Sequence, residues 1–400
     1  MIRSDLKNFY GRFLETHRGK LHFAAHSHHF WPDVTRQAQL QYWDDCARLS
    51  DDKWRHIFSE IIPRAQSHIA GILSLKHPKQ IVFAPNTHEL TSRLLSLFLG
   101  RPSVRVLTTT NEFHSWNRQV MRLKEIPAFT VETVSTQQFL EHPRSTLESI
   151  KEKLKENYDL FFISQVFYDS GLALTPEDLL ELRKACPKHT LMVIDGYHGF
   201  AALPCSLSQL EGQVFYLGGG YKYAQAGEGV GFMVVPEGTW RPAYTGWFAE
   251  HDTLSNPSAF GVSYAPDAMA FMGATQDPSG LYRFNAAWDL FEESGLDVSG
   301  IHQHVRTLQM EFLAVLPASF VQDWELRPLF DPELPWHGHF LTFECDTPEA
   351  AISLIEKIKK MGILIDRRGR RLRFGFGIYQ DLTDVRELCD RLRSVAKDSQ

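Results

Sequence analysis

The sequence predicts an α/β fold built on a mostly parallel sheet, and three observations carry that expectation. Seven short runs rich in β-branched and aromatic residues recur between residues 80 and 235. Amphipathic helical patterns such as "HELTSRLLSLFLG" and "PEDLLELRKAC" lie between them, which is the signature of βαβ units. The polar residues that stand out chemically fall just after the runs, where open parallel sheets collect their ligands.

Taken in order, "QIVFAP" near residue 80 leads into "NTHEL", in which Asn86, Thr87 and His88 open a helix. "VRVLTTT" near 104 leads to Phe113 and His114 in "NEFHSW". "FTVETVS" near 129 and "DLFFISQ" near 159 follow, and "TLMVID" near 190 finishes on Asp195 with His198 in "DGYHGF". "QVFYLG" near 213 runs into "GGGYKYAQAGEGVGF", and "VGFMVV" near 230 closes the series. From about residue 285 the order changes to a helix, a strand "HFLTFECD", a helix "PEAAISLIEKIKKMG", then "LRFGFGIY" and a final helix. The expected division is an N-terminal segment, 1–40, that joins a small domain; a large domain, 41–284; and a small α+β domain, 285–400.

Composition excludes several function classes. With 400 residues, 43% apolar and 22% charged, the chain has the make-up of a soluble globular protein of about two domains. A net charge of -6 without a long basic block argues against nucleic acid as a partner. No apolar run reaches the roughly 18 residues of a membrane helix, and the charged N-terminus does not read as a signal peptide. Five scattered cysteines (Cys46, Cys186, Cys205, Cys345, Cys389) suggest the reducing cytoplasm.

The glycine-rich stretch around Lys222 fits neither familiar phosphate loop. A P-loop lysine follows glycine and precedes Ser or Thr, whereas Lys222 sits between Tyr221 and Tyr223. Gly227, Gly229 and Gly231 alternate into a strand rather than opening a helix, so a dinucleotide loop is excluded as well. Each residue has an ordinary reading: Asp195 as a helix cap, His198 as a core histidine, "NTHEL" as a cap with Glu89 in the first turn, Lys222 as a surface lysine in a turn. Together they match the requirements of pyridoxal 5'-phosphate. A lysine bonds to the aldehyde, a carboxylate keeps the pyridine nitrogen protonated, an aromatic ring stacks on the cofactor, and a helix N-terminus holds its phosphate.

With these residues in place, the chain resembles the class V aminotransferase group of fold-type I pyridoxal phosphate enzymes, and within it the kynureninases, from about His22 to Leu388. The motifs that carry the resemblance are "DGYHGF", "GGGYKY" beginning soon after it, and "TGWF". The resemblance implies the fold-type I architecture, with Lys222 as the Schiff-base lysine and Asp195 as the partner of the pyridine nitrogen. It gives His198 the support of the ring and its Asp, and Tyr221 a phosphate contact and a proton relay. Asn86, Thr87 and His88 would hold the phosphate, and Phe113 would stack on the ring. Trp247 and Thr275 would reach the phosphate region, Thr275 from a second subunit, which implies a homodimer. Arg373 in "LRFGFGIY" would bind the substrate carboxylate.

Departures from the family pattern leave the substrate open. "AAHSHH" places His26, Ser27, His28 and His29 beside the expected substrate pocket, with period-2 spacing putting His26 and His28 on one face; His26 and Ser27 are candidate substrate contacts. No third ligand at metal spacing accompanies them, so no metal is expected. Glu228 replaces a small residue, and "GATQDPSG" stands in place of an Asn-Pro segment. The implied activity is kynureninase-like hydrolytic Cβ–Cγ cleavage, with amino transfer or β-elimination on another amino acid as the alternative and a non-catalytic binding protein as a third. A cysteine desulfurase is disfavoured because Cys345 lies in a strand-like run.

Overall fold

In the computed structural model, residues 4–253, 261–331 and 336–395 are described. Among these residues thirteen strands form three sheets. β1 (Leu21–His22), β11 (Ile363–Leu364), β12 (Asp366–Arg368) and β13 (Arg371–Gly375) belong to the smaller sheets with β9 (Arg327–Pro328) and β10 (Phe340–Glu344). The central sheet takes β2 (Ile81–Ala84), β3 (Val104–Thr109), β4 (Phe129–Val134), β5 (Leu160–Ser164), β6 (Leu191–Asp195), β7 (Phe215–Gly219) and β8 (Gly231–Val234), in the order β2-β8-β7-β6-β5-β3-β4. All seven runs read from the sequence are its strands.

The burial of each strand follows from its place. β5 and β7 are buried along their whole length, as continuous apolar runs covered on both faces must be. β4 stands at the edge, and all but one of its residues are half-exposed or exposed. Trp116, from the helix after β3, stacks on Phe162 of β5 with ring centroids 3.8 Å apart, and its indole N–H donates to Thr108 Oγ1.

One strand runs against the rest. β8 is antiparallel to both β2 and β7, whereas β7, β6, β5, β3 and β4 pair in parallel. A parallel return needs a crossover of a dozen or more residues, usually through a helix. Only the non-helical loop 220–230 joins β7 to β8, so the chain turns straight back. Because β2 and β7 flank the reversed strand, β2, β3, β5, β6 and β7 all bring their carboxyl ends to one edge of the sheet.

In the second sheet, β10 and β13 pair antiparallel, and β12 lies on the other side of β13 with Asp366 opposite Arg373. β1 pairs in parallel with β11, tying the N-terminal segment to the C-terminal region, and Ala24 bridges to Gly375. Among the described residues no helix is long and apolar enough to cross a membrane.

Candidate active site

The five carboxyl ends surround a cavity of about 400 Å³. Asn86, Thr87 and His88 line it after β2, Phe113 after β3, Ser164 and Tyr168 at β5, Asp195, Tyr197 and His198 at β6, and Tyr221, Lys222 and Glu228 after β7. The sequence-predicted residues that enclose it are therefore brought together from five separate segments.

Lys222 is 4% exposed, and its Nζ lies 2.6 Å from His198 Nε2. The amine also sits 5.2 Å from the Phe113 ring centroid and 5.0 Å from that of Tyr197. Burial, helped by the charges of Arg373 and Arg368, brings the ammonium pKa down to about 7 against the pull of Asp195. A sizeable share of the amine is then neutral and nucleophilic at physiological pH. Burial and the adjacent Lys222 push His198 well below its usual value, so a neutral imidazole faces the lysine.

Asp195 receives a hydrogen bond from the Tyr197 backbone N–H, 2.9 Å from Oδ1. Burial raises its pKa even though that bond and Lys222 favour the carboxylate. Its charge thus lacks a full counterpart in the chain, and a protonated pyridine nitrogen would supply one.

The phosphate end fits equally well. Asn86 caps the helix Thr87–Leu95 by accepting from Glu89 N at 3.0 Å, leaving the first N–H groups and the positive end of the helix dipole at the cavity. A Cβ on Gly231 would stand 2.4 Å from the Asn86 carbonyl carbon and 2.8 Å from Thr87 N, so glycine is what allows β8 to pass under this loop. Phe113 offers a ring face beside Lys222. These residues fit pyridoxal phosphate: Lys222 to bond it, Asp195 for its ring nitrogen, Phe113 for its face, and Asn86 to His88 for its phosphate.

Several placements differ from the sequence reading. The segment with His26 to His29 is a turn, in which Ser27 N and His28 N both donate to Ala24 O, so period-2 alternation does not apply. His26 is fully buried, stacked on Phe340 at 4.7 Å with Nε2 3.6 Å from Asp366, while His28 is exposed beside Tyr221. Neither His26 nor the half-buried Ser27 lines the cavity. His198 meets the lysine, and Asp195 is held by Tyr197 instead. The glycines before Lys222 make room for rings of the chain itself: a Cβ on Gly218 would lie 2.4 Å from Phe232, and one on Gly219 would lie 2.3 Å from the Tyr197 hydroxyl.

Trp247 and Thr275 are both exposed and share a hydrogen bond, 3.3 Å from Nε1 to Oγ1, outside the cavity. Arg373 is buried, with its guanidinium donating to Asp366 and to the Tyr168 carbonyl. Among the described residues, no group of three or more His, Cys, Asp or Glu side chains could hold a metal ion.

Glu112 was not singled out by the sequence, although it directly precedes Phe113. It is fully buried, with Oε1 accepting from Thr109 Oγ1 at 2.7 Å and Ser164 N at 3.2 Å, and Oε2 bonded to the Ser164 hydroxyl. It therefore joins the ends of β3 and β5. Ser164 is in register with Asp195. Burial lifts the Glu112 carboxyl to about 7, opposed by the Ser164 and Thr109 bonds and reinforced by Asp195.

Between its ordinary 4.5 and about 7, the folded chain keeps a proton that the unfolded chain releases. Stability is therefore lost as pH rises through that window, by about 3 kcal/mol. Glu112→Gln, neutral and of the same shape, should flatten this part of the Tm-against-pH curve; a variant curve that keeps the wild-type slope would show that Glu112 is not the titrating group.

The family model for class V aminotransferases matches residues 24–322. Isopenicillin N epimerase of Streptomyces clavuligerus is 29% identical over 149 residues, which span 36% of this chain and 33% of the epimerase. Among solved structures, a mutant of C-DES with glycine covalently linked to its pyridoxal phosphate superposes with a TM-score of 0.82 at 16% identity, covering 98% of this chain and 99% of that one. A cysteine desulfurase from Thermococcus onnurineus NA1 gives 0.76 at 17% identity, with 99% and 98% covered. The structural likenesses establish the fold-type I architecture. The finer likeness to kynureninases stays with the sequence motifs. The chain belongs to the class V aminotransferase family, and its cofactor is pyridoxal 5'-phosphate.

Proposed function

We propose that this pyridoxal phosphate enzyme is a lyase that removes the Cα proton of an amino acid and expels a leaving group from Cβ. The observation that carries the reading is the buried Lys222–His198 couple, 2.6 Å apart, on the wall of the cavity that also holds Asp195. When bound, the cofactor supplies an electron sink for the Cα–H bonding pair. Asp195 holds the ring nitrogen, and Phe113 covers the ring face. Lys222 Nζ takes the Cα proton, and the imidazole of His198 orients the amine. The group leaving Cβ departs with its bonding pair, and the resulting enamine acid is hydrolysed by water to a 2-keto acid and ammonia.

Solved relatives support elimination, since one of them is described as a cystine C–S lyase in complex with its product, cysteine persulfide. Sulfur transfer through a protein cysteine is not supported: among the described residues no cysteine lines the cavity, and Cys345, directly after β10, is 1% exposed. A second reading, kynureninase-like hydrolytic Cβ–Cγ cleavage, is favoured by Tyr221, which lines the cavity 5.7 Å from Lys222 by ring centroid. Burial raises its pKa to about 12, so it stays a proton donor for a released carbon.

The working unit in this reading is a homodimer, with exposed Trp247 and Thr275 turned towards a partner's phosphate site, and the scattered cysteines support a cytoplasmic setting. Incubating the cofactor-loaded protein with L-cystine and with L-kynurenine, followed by mass spectrometry of the products, tests both readings. Pyruvate with a persulfide supports the lyase. Alanine with anthranilate replaces it with the hydrolase, and an amino acid converted to its keto acid without loss at Cβ points to transamination.

A further inference from the structure

We propose that Arg283, on the helix Ser279–Glu293, is the positioning residue of Lys222: it holds two carbonyls of the lysine loop and so keeps the amine against His198. This assignment rests on the reading that Lys222 bonds the cofactor.

The loop 220–230 has few bonds of its own with which to hold that position. Gly220 N bonds to Val230 O at 2.8 Å, and Ala226 N bonds back to Gly220 O at 2.8 Å, which closes a turn around Lys222. Gln225, Gly227 and Gly229 then stand at φ of 61°, 71° and 92°, all left-handed. A side chain on such a backbone persists only where its surroundings over-determine it, and Gln225 has one. It is 1% exposed, and its Oε1 accepts from the buried hydroxyl of Tyr10 in the N-terminal segment. That bond fixes one side of the loop.

Arg283 fixes the other side. Its Nε donates to Ala226 O at 2.7 Å and its Nη2 to Glu228 O, so one planar fork spans two carbonyls of the loop. Nη1 donates to Ser279 Oγ at 3.2 Å and to Gln39 Oε1, and the guanidinium carbon stands 5.7 Å from the Trp31 ring centroid. Trp31 in turn fills the space beside Gly227, where a Cβ would lie 2.5 Å from its Cζ2. All four acceptors of Arg283 are neutral oxygens, so these charge-assisted bonds shape the loop rather than balance a carboxylate.

The hold reaches the amine through one residue. Ala226 gives its carbonyl to Arg283 and its N–H to the turn that encloses Lys222. If Ala226 swings away, that turn opens, and the amine is no longer kept 2.6 Å from His198 in its buried place.

The test frees the full-length protein of cofactor, adds pyridoxal phosphate across a pH series and follows the visible absorption as it binds. Wild type should load at a rate that rises to a plateau with its midpoint at about pH 7. Arg283→Gln should move the midpoint up by about one unit, because an amine released from burial titrates nearer its ordinary value; loading at pH 7 should then slow about fivefold. Arg283→Lys, which keeps the charge and can bond one of the two carbonyls, should lie between. The amine is faced by Tyr197 and His198 after β6 and by Tyr221 on its own loop. Apart from burial, the charges that act most on it are those of Asp195, Arg373, Arg368 and Asp366, so the shift reports where the amine sits rather than the lost charge of Arg283. Arg64→Gln, which removes an ion pair of 2.7 Å to Asp289 on the same helix, should leave the midpoint in place.

A wild-type midpoint in Arg283→Gln, whatever its Tm, would overturn the assignment and leave Lys222 as the cofactor's lysine. Should Arg283→Gln not fold, Arg283→Lys decides in the same way: a raised midpoint supports the assignment and an unchanged one overturns it. If borohydride treatment leaves no reduced cofactor on wild-type Lys222, the reading of that lysine falls and takes this assignment with it.

Discussion

Replacing Lys222 by alanine is expected to abolish covalent retention of the cofactor. After borohydride treatment, the wild-type chain should gain the mass of one reduced pyridoxal phosphate and the variant should gain none. Turnover should fall by about ten-thousandfold, because the variant loses the general base as well as the covalent attachment. The geometry makes the loss specific. Lys222 is fixed by a loop whose Gly220 N bonds to Val230 O, and its amine lies against His198 with Phe113 and Tyr197 around it. Among the described residues no other lysine lines the cavity. Because burial brings its pKa to about 7, loading of the wild-type protein should speed up as pH rises through 7, where the amine becomes neutral, and then level off. A borohydride-stable adduct on the variant would show that another group carries the cofactor.

Asp195→Asn should leave a protein that binds the cofactor but turns over about a hundredfold more slowly, corresponding to the loss of a charge-assisted hydrogen bond of up to about 3 kcal/mol. An amide cannot hold a pyridine nitrogen in its protonated form, and the ring then draws electrons from the Cα–H bond less strongly. The substitution is nearly isosteric. The amide oxygen can still accept from Tyr197 N, which bonds Oδ1 in the wild type, so β6 and its turn should keep their shape. The loss should therefore appear in kcat, with little change in Tm. Unchanged kcat would remove the electron-sink role from this carboxylate.

These two residues were legible in the sequence because strand patterns and their following residues are local. "TLMVID" and "QVFYLG" each mark a strand by composition, and the chain cannot separate Asp195 or Lys222 from the strand it follows. The same holds for Phe113 after β3 and for Asn86 to His88 after β2. Once the sheet is mostly parallel, such residues share an edge whichever order the strands take.

Other features depend on contacts between distant segments, and no local pattern announces them. The antiparallel run of β8 follows from a loop too short for a crossover, and it sets the lysine loop beside the "NTHEL" turn through Gly231. His26 is buried because residues 24–28 turn under β13, where the ring meets Gly375 and Asp366, so a strand-like alternation of histidines misplaced it. Glu112 looked like one acidic loop residue among many until Ser164 and Thr109 closed on it from two strands. Nothing local in the sequence says which arginine of the run 367–373 meets Asp366; the register of β12 and β13 sets it opposite Arg373. The sequence by itself thus determined the fold, the cofactor and which residues the strand ends bring to the cavity, since these follow from strand ends. The partners that set their charge were decided by tertiary structure, because electrostatic and packing contacts are made across space and have no period along the chain.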